Sequence, residues 1–191
     1  MRVALFPIVL LVGLCVGCAG RSSVKPVEVL DERTGVTVSS LKEPIELVPS
    51  AQTAARDSHR RTSFAYVGPA EWNRSGTLSY GLWVHIAPAA NGEPGDIHAA
   101  GAVTLMLDDG PLLLAVIEAP KVGREPYRNV VSWGQTAYFG LTAATLGRMA
   151  SSRKLELQVR MVDGTIMSFF PTLDAHAALT QYVKDRGITG D

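Results

Sequence analysis

Cysteine is scarce in this chain. Only Cys15 and Cys18 occur in 191 residues. With no second pair to complete four ligands, a structural zinc site is excluded. No βαβ pattern follows to make C-x-x-C a redox motif. Excess charge is missing too: 18 Lys and Arg face 18 Asp and Glu, which gives no electrostatic case for nucleic acid or anionic lipid as partner. The four histidines, His59, His85, His98 and His176, stand apart, with no H-x-x-H or H-E-x-x-H spacing. There is no G-x-S-x-G elbow and no glycine-rich turn between a strand and a helix. No internal repeat is visible. Catalytic residues, metal ligands and cofactors are therefore assigned to none of the side chains.

Long apolar runs are confined to the start. Arg2 precedes residues 3–14 (V-A-L-F-P-I-V-L-L-V-G-L), and small residues follow at Gly17, Ala19 and Gly20. A charged start, an apolar stretch of roughly 7–15 residues and a small-residue exit describe a secretory signal peptide. The competing reading is an uncleaved transmembrane anchor, since residues 3–20 carry no charge. Pro7 and the glycine-rich end argue against it.

Residues 16–19, V-G-C-A, resemble the lipobox of bacterial lipoproteins, with Val16 at −2, Gly17 at −1 and Cys18 at +1. Cys15 stands at −3, where that family usually has leucine. The resemblance implies cleavage after residue 17 and acylation of Cys18, so that the mature chain has no free thiol. It also implies sorting: the second mature residue is Ala19, not the aspartate that retains lipoproteins in the inner membrane of enteric bacteria. The expected address is the outer membrane, lipid-anchored and facing the periplasm.

This divides the chain into a signal peptide (1–17), a lipidated cysteine and tether (18–26), one β-rich domain (27–187) and a tail (188–191). Without residues 1–17 the chain keeps 174 residues, enough for one good core. Strands are expected at 27–31, 36–40 and within 43–50, with a loop or weak helix at 52–61. In residues 77–87 every even position is apolar, and in 154–162 the odd positions Leu155, Leu157, Val159 and Met161 alternate with polar ones. That period of two predicts antiparallel strands with one face in a core. Asp109-Gly110 and Asp163-Gly164 supply the positive φ angles of tight hairpins. A further strand is expected over 130–139. Two short helices are expected, at 142–150 capped by Thr142 and at 174–186 capped by Asp174 and stopped by Gly187. Residues 87–101 form a long connection without periodicity.

The fold class is mainly β, an antiparallel two-sheet sandwich with two short helices; the alternative is a partly closed β-barrel. Trp83 and His85 lie on the odd face of their strand and Trp72 in a polar stretch, so these three form the expected interaction surface. The competing reading is a helix laid over the sheet that buries Trp83. Asp108 and Asp109 read as turn formers and Ser132 as an ordinary strand residue.

The order of lipobox, D31-E-R-T-G strand pair, N73-R-S-G hairpin and Y80-G-L-W strand is similar to a group of uncharacterised proteobacterial lipoproteins. The resemblance covers most of the mature chain and implies no activity. The leading functional expectation is a non-enzymatic accessory domain that binds another envelope protein and is held to its membrane through Cys18. The alternative is a periplasmic small-ligand binder; a hydrolase ranks third.

Overall fold

The computed structural model describes residues 26–55, 63–87, 89, 96–99 and 101–188. Cys18, His59 and most of the 87–101 connection lie outside the described residues.

The chain starts with a hairpin, β1 (Pro26–Asp31) and β2 (Val36–Leu41), turned at Gly35. β3 (Ile45–Pro49) leads into a one-turn helix, α1 (Ala51–Ala54). β4 (Phe64–Arg74) and β5 (Thr77–Ala87) then form a hairpin of eleven paired positions. Its two-residue turn, Ser75-Gly76, has φ of 51° and 90°, which suits the right-handed strand twist. Next come β6 (Val103–Leu107), β7 (Gly110–Leu113), the short β8 (Val116–Ile117) and β9 (Gln135–Leu141). The order closes with α2 (Ala143–Ser151), β10 (Glu156–Arg160), β11 (Ile166–Pro171) and α3 (Leu173–Asp185).

The fold is mainly β and antiparallel throughout. In place of two facing sheets there is one large curled sheet, a half-barrel ordered β7-β6-β10-β11-β3-β4-β5-β9-β8, with β1 and β2 as a two-strand arm. The partly closed barrel is thus nearer than the sandwich. What joins the expected halves is β4. Ala65, Tyr66 and Val67 pair with β3, whereas Ala70 to Arg74 pair with β2. Gly68 and Pro69 fall in the gap between these partners, where a residue without an N–H costs no ladder bond.

Inside the curl the even positions of β5, Leu82, Val84 and Ile86, join Leu157, Val159 and Phe169 in one apolar core. The helices fill it with Leu146, Met149, Leu179 and Tyr182. α2 is capped by Thr142, as its sequence predicts. α3 starts earlier than expected: Thr172 is the cap, accepting from the Ala175 N–H, and Asp174 occupies the first turn, where a carboxylate suits the helix dipole. At its far end Gly187, at φ 62°, turns the chain so that Ile188 N–H reaches the Val183 carbonyl.

Candidate functional site

The outer face of the sheet is treated differently along its width. Along β3 and β11 it is open, with Val48, Ile166 and Phe170 exposed. Over β4, β5 and β9 it is roofed by residues 118–134, a strap without regular structure. This roof decides the fate of the expected interaction surface. Trp72, Trp83 and His85 are buried, at 2%, 1% and 0% exposure, and that reading is corrected. Alternation along β5 does separate two faces, but both are covered between Gly81 and Ala87. The cover over Trp83 is irregular chain, not the helix that was the competing reading.

The strap is held by side chains that need close approach to the sheet. Tyr127 lies against Gly68, where any Cβ would come within 2.4 Å of its ring. Its hydroxyl donates to the Pro69 carbonyl (2.8 Å) and accepts from the Leu41 N–H (3.0 Å), bridging β4 and the end of β2 at the point where β4 changes partners. Burial raises its pKa well above the ordinary tyrosine value. Trp83 sits between Tyr127, 5.2 Å away, and His85, stacked at 5.6 Å. Tyr138 donates to Glu125 of the strap at 2.8 Å. Asp31 accepts from Gly123 N–H at 2.8 Å and from the Thr34 hydroxyl, which hold its carboxyl below the usual range.

His85 anchors the last turn of the strap. Val131 N–H donates to its Nε2 (3.4 Å), which makes Nδ1 the protonated nitrogen, donating to Thr136 Oγ1 (2.8 Å). Thr136 in turn donates to Asn129 Oδ1 at 2.8 Å. The network fixes a neutral tautomer, and burial lowers the His85 pKa from 6.5. Gly134 lies flat on the imidazole; a Cβ there would stand 2.4 Å from its Cε1. Residues 130–134 therefore turn over His85, and β9 begins five residues later than expected.

That turn lifts Trp133 to 61% exposure, beside Val130 at 45%. Trp133 is the tryptophan the expected surface omitted. The signal available in sequence was its place between Asn129 and Gly134, two turn-forming residues. Ser132 belongs to the same turn and not to a strand.

The other candidates have structural partners. His176 Nε2 bonds the Ser152 carbonyl at 2.7 Å. His98 is exposed, and its backbone N–H is held by Asp96. Asp108 accepts from the N–H groups of Arg153 and Lys154, and those bonds hold its carboxyl below the ordinary value. Asp109 pairs with Arg148 at 2.5 Å. Among the described residues no group of three or more His, Cys, Asp or Glu is placed to hold a metal ion, and no helix is long and apolar enough to cross a membrane.

Among the described residues, a charged cluster clamps the chain beyond α3 to β1 and β4. Arg186, just past α3, bridges Glu71 of β4 and Glu28 of β1, and the Ser39 hydroxyl donates to the same Glu28 oxygen at 3.1 Å. The Glu71 side chain is only 3% exposed. Hydrogen bonding to Glu71 raises the Arg186 pKa above the ordinary guanidinium value.

No family model matches the chain, and neither a curated protein nor a solved structure matches it.

Proposed function

We propose that the chain is a lipid-anchored envelope protein whose β domain is a non-enzymatic interaction module. The anchor is Cys18, as its lipobox resemblance implies, and the address is the periplasmic face of the outer membrane. The observation that carries the interaction reading is Trp133, exposed on a turn whose base is fixed. A tryptophan brings a large contact area at low entropic cost when the backbone beneath it is pre-organised. Here pre-organisation comes from the Val131–His85–Thr136–Asn129 bonds and from Gly134 against the imidazole. The partner fitted by this anchor is another envelope protein with an apolar pocket for one indole ring.

Two histidines favour a binding role over a hydrolytic one, since the rings of His85 and His176 are each committed to a structural bond. Chemical crosslinking in the native envelope, followed by mass spectrometry, tests the reading. The wild type is expected to yield a reproducible protein neighbour that Trp133→Ser loses. Recovery of lipid alone, or of the same neighbour in both proteins, contradicts it.

A further inference from the structure

The strap borders a hollow on the outer face. It lies at the turn end of the β4–β5 hairpin, with a volume of about 320 Å³. Trp72 and Val36 form its floor, and Glu118 and Pro120 of the strap form its far wall. Arg74, Thr77 and Ser79 stand along the near rim, all three on the same face of the hairpin as Trp72.

Two features separate this hollow from an accidental gap. The indole N–H of Trp72 is the one buried side-chain nitrogen or oxygen without a hydrogen-bond partner among the described residues. A donor left so costs about 1–3 kcal/mol, so native structures rarely keep one without a use. Its ring is held in place, with the benzo edge over Gly81, where a Cβ would come within 2.8 Å, and Tyr138 packed edge-on at 5.6 Å. The second feature is Arg74, whose exposed side chain has no ion pair or hydrogen-bond partner among the described residues. The acid on the opposite wall, Glu118, is instead 3.8 Å from Lys121. The rim therefore presents one unpaired cation and two hydroxyls, above an apolar floor in which the Trp72 indole N–H is buried.

We propose that this hollow binds a small organic carboxylate with a flat apolar body. Arg74 takes the carboxylate with Thr77 and Ser79, and the body lies over Trp72 and Val36 beneath Pro120. An acceptor on the ligand reaches the indole N–H when the wall at Glu118–Pro120 swings outward. That wall is irregular chain between the end of β8 and Gly123, where Asp31 pins the strap. The site uses none of the residues that hold the Trp133 turn, so it stands or falls apart from the interaction reading.

Heteronuclear NMR on the full chain in non-ionic detergent tests it, with benzoate as probe and benzyl alcohol as its neutral counterpart. The Trp72 indole resonance is assigned through its contacts to the Gly81 protons, so no core variant is needed. Benzoate is expected to shift that resonance saturably and leave the Trp83 and Trp133 signals in place. Arg74→Gln, at an exposed position, is expected to keep the fold and weaken binding by about fivefold or more. Absence of a saturable Trp72 shift overturns the site. Equal affinity in Arg74→Gln, or equal binding of benzyl alcohol, overturns the carboxylate assignment.

Discussion

The Tyr127 hydroxyl donates to the Pro69 carbonyl at 2.8 Å, at the point where β4 changes partners from β3 to β2. Gly68 and Pro69 leave a seam in the sheet, and a residue 58 positions later closes it. The same oxygen accepts the Leu41 N–H at the end of β2. One side chain thus welds the seam and seats the strap.

Tyr127→Phe keeps the ring and strands two buried backbone groups. Each costs about 1–3 kcal/mol when left unpaired, so a loss on the order of 2–6 kcal/mol is expected in urea unfolding. Gly68→Ala drives a methyl into the Tyr127 ring and is expected to cost at least about 2 kcal/mol. Wild-type stability in either variant would mean that Tyr127 does not occupy the seam.

Much of this was legible in the sequence and some was hidden for definite reasons. β5 showed its ends and its inner face because apolar residues occupy every second position. The hairpins at Asp108-Asp109 and Asp163-Gly164 were marked by glycines at φ 123° and 80°. β4, the strand that organises the sheet, gave no periodic signal. Both of its faces are buried from Val67 to Trp72, and Gly68-Pro69 reads as a turn. The buried fate of Trp72, Trp83 and His85 was illegible because the strap that covers them has no period. It is recognised only by small residues opposite large ones, Gly68 under Tyr127 and Gly134 on His85.

Arg186→Met leaves the Glu71 carboxylate buried without its partner. Breaking a buried pair from one side costs about 3–5 kcal/mol, whereas replacing both members by apolar groups is often neutral. Thermal unfolding is expected to show a large loss for Arg186→Met and substantial recovery in Glu71→Met with Arg186→Met. Failure of the double variant to recover would assign Arg186 a role apart from Glu71.

Acid is expected to loosen the strap through His85. Its folded pKa lies below the unfolded value of 6.5, because burial disfavours the imidazolium. Below 6.5 the unfolded chain binds a proton that the folded chain refuses, so stability falls as pH falls until folded His85 itself protonates. Protonation also fills Nε2 and expels the Val131 N–H. Stability measured from pH about 7.5 to 5 is expected to decline more steeply in the wild type than in His85→Gln. Parallel curves would remove His85 from the pH response.

Cys18→Ala is expected to leave an unprocessed precursor that takes up no labelled fatty acid. A mature, lipid-labelled product from that variant would refute the lipobox reading. In the wild type the protein is expected to band with outer-membrane markers on a sucrose gradient, because Ala19 follows the cysteine. Banding with inner-membrane markers would overturn the sorting assignment, and a soluble periplasmic pool the anchor itself.

The central claim is that Trp133 is the surface through which the domain meets another envelope protein. Placing a photo-crosslinking phenylalanine derivative at position 133, in living cells, tests it most directly. Leu113 and Val162, each 70% exposed, serve as control positions. The expected result is one discrete protein adduct from position 133 that neither control position gives. A position 133 that captures no protein, or the same set as Leu113 and Val162, contradicts the claim.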